Sequence, residues 1–267
     1  MKRSDSPQKA GEIMAMCPND YIAVFDSGVG GLSVLTHLKK LLPNERYVYY
    51  GDCANAPYGS RPTQQVRQLT LAAADRLVAA YPVKALVVAC NTATAAAIGQ
   101  LREKYPELII IGIEPALKLA ADHFPGGRIG VMATEVTLRE EKFDALMHRF
   151  DSGCTVEKIP APGLVERIEA GEETLPLLQS ILRPYVGRLD ALVLGCTHYP
   201  FAAKEISQVL GPQVALLDGG EGTARETRRR LEAAGLLRSR EDGCVILQNS
   251  AEDNRLNRFF MEVMGHE

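Results

Sequence analysis

Short apolar runs alternate with longer amphipathic stretches from residue 21 onward. Runs typical of strands lie near 21–25, 46–50, 84–89, 108–113, 128–132, 154–159, 190–194, 213–217 and 244–247. Stretches with helical patterns lie between them, at 31–41, 63–80, 92–104, 138–150, 175–185 and 222–234. Strands of a parallel sheet are nearly all apolar, because helices cover both of its faces. The alternation therefore predicts an α/β protein built on parallel sheets.

The predicted strands also repeat along the chain. The run at 22–27 recurs 107 residues later at 129–134, and the run at 111–114 recurs 104 residues later at 215–218. This period is far longer than that of a solenoid repeat. For the weaker pairs, the alternative is that hydrophobic strands simply resemble one another. The repeat predicts two pseudo-symmetric, flavodoxin-like α/β halves with the active site in the cleft between them.

The same pattern suggests domain boundaries. Residues 1–19 are polar and are expected to form a flexible N-terminal extension. A hinge is expected near Pro115, where a predicted strand ends, and the last predicted strand has no partner in the repeat. We therefore expect a first domain of residues 20–115 plus 224–267, and a second domain of residues 116–223.

Composition narrows the function classes. The formal net charge of −3 argues against nucleic-acid binding, and the arginines at 228–230 would fan around a helix as a solvated face. The six cysteines include no Cys-x-x-Cys pair, which disfavours a zinc site, a redox motif or a disulfide scaffold. No apolar run is long enough to span a bilayer, and no signal-peptide core is evident. We expect a cytoplasmic protein with no metal and no membrane partner; a homodimer stays open.

Two of the predicted strands end in cysteine. The strand at 85–89 leads into Cys90, Asn91 and Thr92, and the strand at 191–195 leads into Cys196, Thr197 and His198. Open α/β sheets bind ligands at the carboxyl ends of their strands, and a helix N-terminus there lowers a thiol pKa. The alternative is that both cysteines are small core residues. Two thiols on opposite sides of one cleft are what inversion at a carbon atom requires.

Two loops add polar groups at the same predicted edge. Asp26 and Ser27 precede a glycine-rich turn that leaves backbone N–H groups bare for an anion. The alternative role of both residues is to cap the next helix, and the two roles can hold together. The turn lacks the full dinucleotide fingerprint, so no nucleotide cofactor is expected. The loop with Asp52, Tyr58 and Gly59 suits a substrate-binding lid, although an ordinary surface loop would have the same composition.

Four segments together resemble the signature blocks of glutamate racemases, within the wider Asp/Glu racemase superfamily. They are Asp26–Gly31, Pro57–Gly59, Ala89–Ala93 and Gly195–Pro200, in the family's order and spacing. The resemblance covers roughly residues 20–250. It implies a cofactor-independent isomerase that interconverts L- and D-glutamate and supplies D-glutamate for peptidoglycan.

The resemblance also implies roles for individual residues. Cys90 would act on D-glutamate and Cys196 on L-glutamate. The residues implied to bind substrate are Asp26, Ser27, Tyr58, Gly59, Asn91, Thr92, Thr197 and His198. Asp52 and Glu169 are candidate assisting groups, Glu169 as the match of a family carboxylate that helps one thiol. No metal and no cofactor are implied.

Three other functions remain possible at this point. The first is a racemase of the same superfamily acting on aspartate or another amino acid, which turnover on each substrate would decide. The second is a binding protein whose two lobes close on a small anion and whose cysteines are merely buried. The third is a thiol-redox protein, against which the missing Cys-x-x-Cys pair counts.

Overall fold

The computed structural model describes residues 20–139 and 153–264. The predicted extension at 1–19 and most of the helix predicted at 138–150 lie outside the described residues. The described chain forms two parallel β-sheets covered by helices. We call each sheet with the helices packed on it a lobe.

The first lobe is built on a five-stranded sheet. Its strands are β1 (Tyr21–Asp26), β2 (Arg46–Gly51), β3 (Val83–Val88), β4 (Ile109–Gly112) and β9 (Cys244–Asn249). They are parallel, in the order β4-β3-β1-β2-β9. The central strand β1 and its neighbour β3 are almost wholly buried, as their apolar sequences require.

The second lobe repeats this arrangement with four strands. They are β5 (Arg128–Ala133), β6 (Thr155–Pro160), β7 (Ala191–Leu194) and β8 (Ala215–Asp218). They are parallel, in the order β6-β5-β7-β8. The repeat pairs β1, β2, β3 and β4 with β5, β6, β7 and β8, so the two lobes share one strand order. The predicted fold class, two α/β halves related by an internal repeat, is confirmed.

Ten α-helices lie in the described residues. They are α1 (Leu32–Leu41), α2 (Thr63–Ala80), α3 (Asn91–Lys104), α4 (Leu117–His123), α5 (Glu135–Arg139), α6 (Leu164–Ala170), α7 (Leu175–Leu182), α8 (Ala203–Leu210), α9 (Gly220–Ala233) and α10 (Arg255–Met264). Periodicity did not predict α4, α6 and α8, which have seven or eight residues each. It did predict the equally short α7, because the helical pattern at 175–185 runs on past the end of that helix. It also missed α10, which follows the last predicted strand.

The chain crosses between the lobes twice, and the two crossings touch. The first crossing follows β4, and the second lies at the start of α9. A Cβ atom on Gly219 would clash with the carbonyl oxygen of Glu114, so only glycine lets the two crossings pack this closely. After the second crossing, α9 packs against α1, and β9 pairs with β2 at the edge of the first sheet. Within the part of the chain that the structure describes, no helix is long and apolar enough to cross a membrane.

Candidate active site

The two cysteines predicted from the sequence lie at equivalent strand ends, one in each lobe. Cys90 is the N-cap of α3, two residues after β3, and Cys196 follows β7 in the same way. Both are buried, with exposed fractions of 5% and 8%. They are near enough that charge on Cys196 raises the pKa of Cys90. The repeat therefore brings one thiol from each lobe to a shared space.

Cys90 is held by hydrogen bonds within its own lobe. Its Sγ accepts a hydrogen bond from the backbone N–H of Ala93 at 3.4 Å and donates one to Ser27 Oγ at 3.5 Å. Burial, and secondly the charge of Asp26, raise the pKa of Cys90 to about 12. The thiol is therefore protonated at neutral pH until a positive charge comes close.

Cys196 has an ionisable partner instead. Its Sγ lies 3.7 Å from His198 Nδ1, and His198 Nε2 lies 2.9 Å from Glu169 Oε1. Burial alone would lower the pKa of His198, but the hydrogen bonds to Cys196 and Glu169 outweigh it and raise that pKa well above its usual value. A His198 ring protonated on both nitrogens would donate to both partners. Cys196 is thus the end of a Glu169–His198–Cys196 chain of hydrogen bonds.

Asp26 connects the two lobes. Its Oδ1 accepts a hydrogen bond from the backbone N–H of Gly28 at 2.8 Å, and its Oδ2 accepts one from Thr197 Oγ1 at 3.0 Å. Ser33 Oγ donates to the Thr197 carbonyl oxygen at 3.0 Å, which adds a second cross-lobe bond. Burial raises the pKa of Asp26, while its hydrogen bonds and the nearby His198 oppose that shift. Asp26 therefore fixes the segment that carries Cys196.

The lobes approach each other closely at the glycine-rich turn after β1. A Cβ atom on Gly28 would clash with Glu169 Oε1, and one on Gly30 would clash with the His198 ring and the Thr197 hydroxyl. The glycines are therefore required by close packing of the second lobe. The His198 ring also stands over the turn where a dinucleotide phosphate would approach in a Rossmann protein.

The loop after β2 is held together by Asp52. The Asp52 carboxylate accepts hydrogen bonds from Tyr58 OH at 2.6 Å and from Asn55 Nδ2 at 3.1 Å. Its charge contributes to raising the pKa of Tyr58, after the larger effect of burial. The next residue, Gly59, packs directly against Thr134 of the second lobe. Asp52 and the Tyr58 side chain thus shape the loop, which contacts the second lobe at Gly59.

Three threonine hydroxyls form a second connection between the lobes. Thr92 Oγ1 lies 3.1 Å from both Thr134 Oγ1 and Thr137 Oγ1, which are 3.0 Å from each other. Next to them, Asn91 Oδ1 is buried with no hydrogen-bond partner among the described residues. A buried carbonyl oxygen of this kind is costly unless a ligand donates to it. Asn91 is therefore ready to accept a hydrogen bond from a bound molecule.

Sequence reasoning did not single out three of these residues. Thr134 occupies the position of Ser27 in the repeat, and this correspondence could have identified it. Thr137 lies one helical turn further along. Arg255, at the start of α10, donates from Nη1 to Glu169 Oε2 at 2.8 Å. Nothing in the local sequence around Arg255 indicated that it reaches the cleft.

The described groups suit proton transfer better than metal chemistry. Residues 20–139 and 153–264 contain no group of three or more His, Cys, Asp and Glu side chains arranged to hold a metal ion. They do bring one thiol from each lobe close enough for electrostatic coupling, with hydroxyl groups, a buried amide and backbone N–H groups nearby. Such a site can remove a proton from one face of a small molecule and return one to the other.

Comparisons with known proteins agree with this geometry. The model of the Asp/Glu/Hydantoin racemase family matches residues 30–227. A glutamate racemase of Clostridium perfringens is 46% identical over 244 residues, covering 89% of this chain and 94% of that protein. The crystal structure of glutamate racemase isoform RacE1 from Bacillus anthracis superposes with a TM-score of 0.85 at 30% identity, over 93% of this chain and 95% of that one. Escherichia coli glutamate racemase, crystallised with L-glutamate and the activator UDP-MurNAc-Ala, superposes with a TM-score of 0.81 at 33% identity and the same coverage.

Proposed function

The chain belongs to the glutamate racemases of the Asp/Glu/Hydantoin racemase family and is therefore an isomerase, and on this premise we propose that it interconverts L- and D-glutamate with two cysteines as bases. The observation that carries the proposal is the placement of Cys90 and Cys196 at equivalent strand ends of the two lobes. A single group cannot reach both faces of a carbon atom, whereas a thiol on each side can.

In the proposed reaction one thiolate removes the α-proton while the opposite thiol donates a proton to the other face. Cys196 acts on L-glutamate and Cys90 acts on D-glutamate, as the family resemblance implies. Each turnover leaves the two cysteines with their protonation states exchanged. Exchange of protons with solvent then restores the starting enzyme.

The substrate itself supplies the charge that activates the thiols. Burial and Asp26 hold the pKa of Cys90 at about 12, so the unliganded thiol is almost entirely protonated at neutral pH. The α-ammonium group of glutamate is bonded to the reacting carbon and therefore comes close to both sulfur atoms. A positive charge at that distance favours the thiolate and offsets much of the cost of burial.

Polar groups around the cleft bind the substrate and stabilise the carbanion. The unpartnered Asn91 Oδ1 is placed to accept a hydrogen bond from the α-ammonium group. Thr92, Ser27, Thr197 and the backbone amides of the Tyr58–Gly59 turn are the proposed carboxylate ligands. Because the proposal includes no pyridoxal or metal to take up electrons, preorganised donors to the α-carboxylate stabilise the developing negative charge.

The two halves of the site use different supporting groups. The Glu169–His198 pair stands beside Cys196, whereas the equivalent of His198 in the repeat is Thr92, which cannot ionise near neutral pH. His198 as an imidazolium favours the Cys196 thiolate and can return a proton to it. We therefore assign Glu169 and His198 to the half of the reaction that begins from L-glutamate.

The proposed cleft divides the chain into residues 20–115 plus 224–267 on one side and residues 116–223 on the other. The family resemblance further assigns the product, D-glutamate, to peptidoglycan synthesis. The proposed setting is the cytoplasm.

Racemisation by dialysed protein without added cofactor tests the function. The purified protein is incubated separately with L-glutamate, D-glutamate and L-aspartate, and enantiomers are separated by chiral chromatography. We expect both glutamate enantiomers to be converted and aspartate to be converted far more slowly. Faster conversion of aspartate would transfer the assignment to the aspartate racemases of the superfamily.

Matched cysteine variants test the assignment of the bases. Cys90→Ala and Cys196→Ala should each abolish racemisation while keeping the circular dichroism spectrum of the native protein. Cys154→Ala is the control, since Cys154 lies at the amino end of β6, away from the cleft, and should retain full activity. Near-native turnover in Cys90→Ala or Cys196→Ala would remove the two-cysteine mechanism.

A further inference from the structure

The C-terminal helix α10 belongs to the first lobe but reaches the cleft side of the second. It packs against α1 and β9. From its first residue, Arg255 Nη1 donates to Glu169 Oε2 at 2.8 Å, and Glu169 lies on α6 of the second lobe. Further along α10, the rings of Phe259 and Phe201 are 5.8 Å apart, which adds an apolar contact between the lobes.

Arg255 is held in place from its own lobe. Its Nη2 pairs with Asp253 Oδ2 at 3.1 Å, and its backbone N–H donates to Asp253 Oδ1 at 3.0 Å. Asp253 in turn accepts a hydrogen bond from Asn249, the last residue of β9, at 3.2 Å. These contacts orient the guanidinium toward Glu169 from within its own lobe. Less side-chain entropy is therefore lost when the Arg255–Glu169 ion pair forms.

We propose that Arg255 is a positioning residue for the Cys196 half of the reaction, acting through Glu169 and His198. The inference rests on the proposed function and adds to it a residue from the opposite lobe. Arg255 holds one carboxylate oxygen of Glu169, so that the other oxygen meets His198 Nε2 and directs His198 Nδ1 toward Cys196. The contact forms only with both lobes in this arrangement, so it connects lobe position to the chemistry at Cys196.

The charges around this chain of contacts support an effect on one thiol only. Asp26 from β1 and Glu169 from α6 face His198, and Cys90 and Tyr199 face Cys196. Arg255 from α10 contacts Glu169, with Cys53 and Asp253 beside it. Burial alone would raise the pKa of Glu169, but the hydrogen bonds from His198 and Arg255 outweigh it and lower that pKa. Cys90 Sγ donates a hydrogen bond to Ser27 and accepts one from the backbone N–H of Ala93, and neither partner belongs to the Arg255–Glu169–His198 series of contacts.

Racemisation alone cannot reveal an effect on one thiol. The equilibrium constant between enantiomers is one, so kcat/KM must fall equally from both sides. Elimination from a glutamate carrying chlorine on Cβ avoids this constraint. One thiolate takes the α-proton, the freed electron pair forms the Cα–Cβ double bond, and chloride leaves with the electrons of its bond. The enamine then tautomerises to an imine, which water hydrolyses to the 2-oxo acid and ammonium.

The test compares Arg255→Met with native protein on the L- and D-isomers of 3-chloroglutamate. A lost hydrogen bond to a charged group is worth about ten- to hundredfold in rate, so elimination from the L-isomer should fall by about that factor. Elimination from the D-isomer should change by less than about twofold. The acid limb for the L-isomer should also move to higher pH, because the negative charge of Glu169 would stand uncompensated near Cys196.

Three comparisons exclude a merely structural effect. Arg255→Lys keeps the charge and should recover most of the L-isomer rate and the native acid limb. Arg258→Met, at an exposed position of the same helix, should behave as native protein on both isomers. The Arg255 side chain is 34% exposed, so its variants should fold, and urea unfolding midpoints check this.

Each outcome of the Arg255→Met experiment either supports or overturns the proposed role of Arg255. Equal loss from both isomers, or an L-isomer rate that falls with no movement of the acid limb, would overturn the proposal in favour of a general role in joining the lobes. An unchanged L-isomer rate in Arg255→Met would overturn it as well. Failure of the proposed function is a separate result, because native protein would then neither racemise glutamate nor eliminate chloride.

Discussion

The Asp26 carboxylate accepts a hydrogen bond from the Thr197 hydroxyl at 3.0 Å, across the boundary between the two lobes. Asp26 ends the first strand of one sheet, and Thr197 follows the cysteine that ends a strand of the other. The bond places a buried acidic side chain of one lobe against the segment that carries the proposed base of the second. The position of Cys196 thus depends on contacts that neither lobe makes alone.

Replacement of Thr197 should test that dependence. In Thr197→Val, Asp26 Oδ2 loses its donor while remaining buried, and kcat/KM for glutamate should fall about tenfold or more. Thr197→Ser restores a hydroxyl at the same position and should recover most of the activity. The measurement is initial-rate racemisation from both enantiomers. Native activity in Thr197→Val would mean that the cross-lobe bond is not needed for catalysis.

Serine at the two cysteine positions should separate their roles. Serine keeps the shape and a hydrogen bond, but its alkoxide is scarcely available near neutral pH, so racemisation should be almost lost in both variants. Elimination from 3-chloroglutamate needs only one base. Cys90→Ser should retain elimination from the L-isomer, and Cys196→Ser should retain it from the D-isomer. If each variant retained equal rates of elimination from both isomers, the thiols would not act on opposite faces of the substrate.

The ionisation of His198 should depend on Glu169. In Glu169→Gln the ring loses a charged acceptor, so the pKa of His198 should fall from its raised value. Nitrogen-15 NMR of the imidazole ring measures this directly, and His198→Gln identifies the resonance. An unchanged titration in Glu169→Gln would contradict the assignment of these contacts.

The His198–Glu169 pair should make the unfolding free energy depend on pH in a direction that can be stated. His198 has a raised folded-state pKa, so its protonation stabilises the fold fully below its unfolded value near 6.5 and ceases to do so as pH rises through the folded value. Glu169 has a lowered pKa and stabilises above its unfolded value near 4.5. Native protein should therefore exceed Glu169→Gln in unfolding free energy most clearly from about pH 5 to 6.5. A difference independent of pH would contradict this.

The close approach at Gly30 can be tested against a second glycine. In Gly30→Ala the added methyl group would displace His198 and Thr197, and a shift of about 1 Å at a catalytic group costs about hundredfold in rate. Gly222→Ala is the control, because a Cβ there meets nothing within 4 Å and lies in helix α9. That variant should keep full activity and gain about 0.5 kcal/mol in unfolding free energy. Full activity in Gly30→Ala would contradict the proposed packing.

The fold could be predicted because its signals are local and repeated. The strand that ends at Cys90 and the strand that ends at Cys196 are continuous apolar runs followed by polar residues, and each lies within a repeat of nearly constant length. The apolar sequence of each strand indicates by itself that both faces of the strand are buried. The two sheets can therefore be predicted from the sequence alone. The two proposed bases follow with them.

The contacts between lobes could not be predicted in this way. Arg255 reaches Glu169, 86 residues away in sequence, only because two helices of different lobes meet. Asp52 illustrates the opposite case: its position after a strand suggested chemistry, whereas its carboxylate holds Tyr58 and Asn55. The Arg255 contact depends on the packing of one lobe against the other, and the Asp52 contacts depend on how the loop after β2 folds back on itself, so a residue's position after a strand determines neither.

The most direct test of two opposed bases is the fate of the α-proton during early turnover in deuterated water. L-glutamate is incubated with the protein, without added cofactor, to less than a tenth of full conversion, and the separated enantiomers are analysed by mass spectrometry. The two-cysteine account predicts that the newly formed D-glutamate carries one deuterium at Cα while the remaining L-glutamate is still protiated. Deuterium entering both enantiomers at equal rates, or D-glutamate that retains the original proton, would contradict it.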